Sequence, residues 1–178
     1  DLGQLAALVN SAGIVDVTAR VDQMSAQRIQ RMMAINVVGT MLCAREAVKR
    51  MSTQFGGKGG VIVNLSSAAA LLGSPGQYVD YATSKGAIDT FTVGLGREVA
   101  AEGIRVAAVR PGLIDTEIHA SGGDPDRLQR LVGTVPMKRV GTADEVAEAI
   151  VWLVSEKASY VTGTAINLSS NAWVGGRL

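Results

Sequence analysis

The sequence predicts an α/β protein built around a parallel sheet, and three observations carry that expectation. Four short apolar runs alternate with longer stretches of helical periodicity, the pattern of strands joined by crossover helices. Apolar residues make up 47% of the chain and aromatic ones only 4%, so Val, Ile, Leu, Ala and Met must fill the core. No internal repeat or linker interrupts the alternation, and the 178 residues read as a single domain.

Leu5 to Asn10 (LAALVN) is read as the first strand, apolar on both faces and closed by a Ser-Ala-Gly turn. Residues 25 to 52 supply the crossover helix. Ser25 is its N-cap, and Ile29, Met32, Met33, Val37, Met41, Ala44 and Val48 recur at helical spacing until FGGKGG stops it. VIVNLSS (61 to 67) is the second strand, β-branched until its polar end. Beyond a loop with Gly73, Pro75 and Gly76, residues 78 to 101 are helical again, and Glu102-Gly103 ends them. IRVAAVRPG (104 to 112) is the third strand, and TAINLS (164 to 169) the fourth. Between them Thr142 precedes Glu145 by three, a capping box opening a helix over 142 to 155. Parallel strands in one sheet predict right-handed crossovers throughout.

A net charge of +1, with both signs spread evenly, argues against nucleic acid or an anionic membrane as partner. Cys43 is the only cysteine, which rules out an intrachain disulfide, and within TMLCAREAV it reads as a small buried hydrophobe. With neither a leader nor an apolar run of bilayer length in the sequence, a cytoplasmic protein without a membrane segment is expected. One His and one Cys cannot make a zinc site, and carboxylate clusters are lacking, so no metal is expected.

Open parallel sheets bind ligands beyond the carboxyl ends of their strands. Here those ends read Asn10-Ser11-Ala12-Gly13, Leu65-Ser66-Ser67 and Arg110-Pro111-Gly112. Just after the second lies YATSK (81 to 85), where Tyr81 and Lys85 share a helix face. An ammonium beside a phenol is expected to lower the phenol's pKa and fit it for proton exchange with an alcohol or carbonyl oxygen. Ser67, which ends the strand, could hydrogen-bond that oxygen; adjacent strand residues face opposite ways, so only one of Ser66 and Ser67 can face the site. Tyr78 lacks a cation one turn later and is set aside. His119 is open to contact with substrate but is read first as an exposed loop histidine.

Six segments then resemble one family in order and spacing: NSAG (10 to 13), NVVG (36 to 39), VNLSS (63 to 67), YATSK (81 to 85), RPGLIDT (110 to 116) and PMKRVGTADEVA (136 to 147). The chain is similar to the C-terminal two thirds of the short-chain dehydrogenase/reductase family. The resemblance implies a Rossmann-like, doubly wound parallel sheet in three layers, α/β/α. The family's first three strands and their Gly-rich TGxxxGxG turn would precede Asp1.

By the same resemblance the cofactor is NAD or NADP, and the substrate a small secondary alcohol or its ketone or aldehyde. Asn36, Ser67, Tyr81 and Lys85 would form the catalytic set: Tyr81 the proton donor or acceptor, Lys85 its partner and a ribose ligand, Ser67 and not Ser66 the substrate clamp, Asn36 the holder of a relay water. Asn10, Ala12 and Gly13 would line the adenosine end of the cofactor, with Pro111, Gly112, Ile114 and Thr116 around its carboxamide and phosphates. Residues 115 to 135 would form a substrate lid, and the two long helices a homodimer or homotetramer interface. Ser11, Ala107 and the ending NLSSNAWVGGRL depart from the family pattern. The alternative is a truncated, non-catalytic binding or structural protein. As an isolated piece, the 178 residues are expected to aggregate through LAALVN and to bind neither cofactor.

Overall fold

A computed structural model describes residues 3–169; the divergent ending beyond Ser169 lies outside them. Strands β1 (Ala7–Asn10), β2 (Gly60–Leu65), β3 (Ile104–Pro111) and β4 (Thr164–Leu168) lie side by side in that order, every neighbouring pair parallel. Between β1 and β2 run α1 (Ala26–Met33) and α2 (Thr40–Met51), continuous through a widened π-type turn, Ala34–Gly39. A short α3 (Ala69–Leu72) and the long α4 (Val79–Val99) lead to β3. The connection to β4 holds α5 (Ile118–Ser121), α6 (Arg127–Leu131) and α7 (Ala143–Val154).

Alternation along β2 and β3 divides the core in two. Ile62, Ile104 and Val106 face Ala44, Ala47 and Met51 of α2 and Val99 of α4. Val61, Val63, Ala107 and Val109 face the other way, against Val146 and Leu153 of α7 and against Ala158. The result is three layers, with each buried aliphatic side chain contributing roughly 1.5 to 3 kcal/mol. Register places Ile62 beside Val106 and Val63 beside Ala107, so the apolar faces of adjacent strands coincide.

The two cores also fix handedness. Each step from β1 to β4 moves in the same direction across the sheet, but the first two crossover helices cover one face and α7 covers the other. The third crossover therefore has the opposite hand to the first two, and the expectation of a uniform right-handed set fails. Hand follows from which face has apolar positions to cover, and the sequence between strands does not display it.

Two further expectations are corrected. β1 is not buried on both faces: it pairs with β2 alone among the described residues, and Val9 is 42% exposed. Its inner contacts come from Leu5 and Leu8, which lean on the first core. Cys43 is exposed, because Ala44 and Ala47 turn that helix face inward and carry their neighbour outward.

Helix boundaries follow local chemistry. Ser25 accepts a hydrogen bond from the Arg28 N–H at 3.1 Å. At α7 the Thr142 Oγ1 accepts from the Glu145 N–H (3.2 Å) while Glu145 Oε2 accepts from the Thr142 N–H (2.9 Å). α4 packs closely because its inner face is small: a Cβ on Gly96 would stand 2.6 Å from the Gly163 backbone nitrogen.

Candidate active site

β2 delivers two serines to the carboxyl edge of the sheet, and the pleat separates them. Ser66 is buried and its hydroxyl donates to the Lys85 carbonyl at 3.2 Å. Ser67 is half-buried in the wall of a cavity of about 650 Å³, its Oγ accepting from the Ala69 N–H at 3.1 Å. Tyr81 and Lys85, from the first turns of α4, line the same cavity.

The electrostatics of this pair differ from the sequence expectation. The Tyr81 hydroxyl is pushed above its ordinary pKa, because burial disfavours phenolate; Ser67 opposes the shift and Tyr78 adds to it. Lys85 does not lower it. Its Nζ donates to the Leu65 carbonyl at 2.7 Å and lies 5.6 Å from the centroid of the Tyr81 ring. Burial also draws Lys85 itself down to about 8, against a smaller opposing pull from Asp89. Burial thus holds the Tyr81 phenol protonated and draws Lys85 toward, though not to, its neutral form at neutral pH.

Asn36 lies one layer deeper. The π-type turn carries its side chain inward, where Oδ1 accepts from the Ile14 N–H (2.8 Å) and Nδ2 donates to the Ile14 carbonyl (2.9 Å) and to Ser84 Oγ (3.1 Å). This grips the strand-end segment that follows Gly13. A Cβ at Gly13 would stand 3.4 Å from Asn36 Oδ1 and 3.5 Å from Lys85 Nζ. Gly13 thus leaves open the space where these two groups converge.

Gly13, Pro111, Gly112, Ile114 and Thr116 line the cavity, whereas Asn10, Ala12 and Asn36 do not. Asn10 instead donates to Asn64 Oδ1 (2.9 Å), and Asn64 donates to Thr92 Oγ1 (3.0 Å), tying β1 to β2 and α4. Ala12 is exposed. His119 is not an exposed loop residue: it sits half-buried in the cavity wall on α5, Nε2 2.9 Å from the Ile114 carbonyl oxygen.

Sequence reasoning passed over two features. Tyr78, buried, packs edge-on against Tyr81 with ring centroids 6.4 Å apart; the spacing of three residues was the available signal. Arg28 and Asp80 form a buried ion pair (2.8 and 3.2 Å), and Arg28 Nη1 also donates to the Val17 carbonyl at 2.6 Å. It pins the start of α4, next to Tyr81, to the loop that bounds the cavity. A pairing 52 residues apart has no local signature.

The family profile described as enoyl-(acyl carrier protein) reductase matches residues 1–169. An uncharacterized oxidoreductase of Escherichia coli strain K12, YgfF, is 62% identical over 165 residues, covering 93% of this chain and 67% of that protein. Among solved structures, the 3-ketoacyl-(acyl-carrier-protein) reductase of Brucella melitensis complexed with NADH superposes with a TM-score of 0.87 at 28% identity, over 94% of this chain and 67% of the other. ElxO with NADP bound gives 0.83 at 31% identity, over 95% and 67%.

The chain belongs to the short-chain dehydrogenase/reductases. That family is one of NAD(P)-dependent oxidoreductases, and the chain spans about two thirds of the length of the members it matches. Its four-stranded parallel sheet between helices is the family's Rossmann-like fold in shortened form. Among the described residues no helix is long and apolar enough to cross a membrane, and no group of His, Cys, Asp and Glu could hold a metal ion.

Proposed function

We propose that the protein interconverts a secondary alcohol with its ketone, or the corresponding alcohol with an aldehyde, using NAD or NADP. The observation that carries the reading is the meeting of Ser67, Tyr81 and Lys85 on one cavity wall at the carboxyl edge of the sheet. Relatives whose structures hold NADH and NADP support the choice of cofactor.

The residues present fit a nicotinamide cofactor. Gly13 leaves room beside Lys85 Nζ, and Pro111, Gly112, Ile114 and Thr116 complete a wall with few polar groups, as a flat ring and its carboxamide require. The bound cofactor supplies or accepts the hydride. Ser67 holds the substrate oxygen and Tyr81, protonated, gives that oxygen a proton in the reductive direction. Lys85 holds ribose hydroxyls and restores charge below the phenol. Asn36 keeps the Ile14 segment in place and, in the relay the family implies, positions water toward Lys85.

Residues 115 to 135, with α5 and α6, act as the substrate lid of a single domain. The paired long helices form a homodimer or homotetramer interface, and the lone, free Cys43 fits the reducing cytoplasm. The deciding experiment follows NADH and NADPH oxidation by the natural full-length protein against a panel of ketones and aldehydes. Turnover abolished by Tyr81→Phe supports the reading; a protein that turns over nothing with either cofactor is the non-catalytic alternative.

A further inference from the structure

The cavity wall carries a charge pattern that proton transfer does not use. None of its lining residues is Asp or Glu, while Lys85, His119 and Arg127 all contribute to it. Lys85 is engaged by the Leu65 carbonyl and His119 by that of Ile114. Among the described residues the side chain of Arg127, on α6, hydrogen-bonds only a neutral group and feels Asp124 only at a distance: its Nη1 donates to Gln77 Oε1 at 2.9 Å, and its guanidinium lies 5.0 Å from the Tyr78 ring centroid. The neighbouring carboxylate, Asp124, is already taken by two hydrogen bonds from Arg130, and Arg127 makes no ion pair among the described residues.

A guanidinium held between an aromatic ring and a neutral amide, on the wall of a cavity without acids, is organised in advance for an anion. Its position relative to the reacting group is set by two contacts. Arg127 lies over the Tyr78 ring, and Tyr78 packs edge-on against Tyr81 with ring centroids 6.4 Å apart. Ile118, Leu131 and Val135 supply apolar wall in the same cavity.

We propose that Arg127 is the substrate's anion-binding residue, and that the substrate is a carbonyl compound or alcohol bearing a carboxylate or similar anion several atoms from the reacting carbon. This rests on the oxidoreductase reading above and narrows it to acidic substrates. Arg127 receives the anion, the apolar wall covers the intervening hydrocarbon, and Tyr81 meets the carbonyl oxygen. A cofactor phosphate offers the same chemistry as a substrate anion, so the test separates the two.

The natural full-length protein is assayed with a series of straight-chain keto acids and their methyl esters, with NADH and NADPH. Wild type is expected to favour some acid over its ester by about tenfold or more in kcat/KM. Arg127→Gln is expected to erase that preference, chiefly through KM, and Arg127→Lys to keep part of it. Calorimetric titration with a straight-chain carboxylate and its amide should show the same discrimination, while cofactor affinity is the same in wild type and Arg127→Gln. Equal turnover of acids and esters by wild type overturns the inference and leaves the oxidoreductase reading standing; that comparison needs no variant. Weaker cofactor binding in Arg127→Gln with the acid preference intact assigns Arg127 to the cofactor and overturns the inference too. No turnover of any acid or ester with either cofactor overturns the inference, while the oxidoreductase reading is decided by the wider panel of ketones and aldehydes.

Discussion

At Lys85 two demands conflict. Burial favours the neutral amine and draws the group down to about 8, whereas the role proposed for it beside Tyr81 and the ribose needs the ammonium. The folded-state value lies below the ordinary lysine value of 10.5, so between the two the unfolded chain binds more protons and stability rises with pH across that window. Below it the full penalty is present, on the order of 3 kcal/mol. Lys85→Met should therefore melt at a higher temperature than wild type at pH 7 while losing activity, with the gap closing as pH rises from about 8 to 10.5. A variant less stable than wild type at pH 7 would mean that the hydrogen bond to Leu65 outweighs the desolvation. Kinetics test the neighbour: Tyr81→Phe should lower kcat by about 100 to 10,000-fold and Tyr78→Phe far less, measured as steady-state NAD(P)H oxidation. The YATSK spacing made the convergence of Tyr81 and Lys85 legible. The sign of the Tyr81 shift was not, since it depends on how deeply the helix buries the phenol, and helix spacing says nothing about depth.

Caps and periodicity made the long helices over 26–51, 79–99 and 143–154 legible to within a residue or two, because a capping box or an N-cap serine is local chemistry; the short α3, α5 and α6, too brief to show a period, were not. Thr142→Ala removes one half of the box at α7 and should cost about 1 kcal/mol in chemical denaturation. Gly96→Ala is the sharper case. Helix propensity alone favours the alanine by roughly 1 kcal/mol, but its Cβ would press on the Gly163 backbone. The net expectation is destabilisation by about 1 to 3 kcal/mol; a denaturation midpoint at or above wild type would show that α4 can retreat from Gly163. Periodicity could not reveal the π-type turn, since one wider turn barely disturbs an apolar stripe. What it changes is the direction of Asn36, which an ordinary α-turn would place elsewhere around the axis.

On the scale of the molecule, Ile35, Val38, Met41 and Leu42 stay 37% to 49% exposed along the helix that runs through 26–51. An exposed apolar band of this kind is usually covered by another subunit. Light scattering of the natural full-length protein should find a dimer or tetramer, and replacing Val38 and Leu42 by glutamate should shift it toward monomer. The order of the strands and of the long helices between them was legible, and so, through the resemblance, was the edge position of β1. The hand of the last crossover was not, for it depends on what lies across space from a segment. That last crossover has a further consequence. Since α7 descends the face opposite α2 and α4, the chain leaving β3 must cross the rim of the sheet, and the residues that cross it become the roof over Tyr81. Lengthening or shortening that roof alters the shape of the chamber without disturbing strand register. On the reading proposed above, substrate range and architecture are written in separate parts of the chain, and a descendant could exchange one while inheriting the other intact.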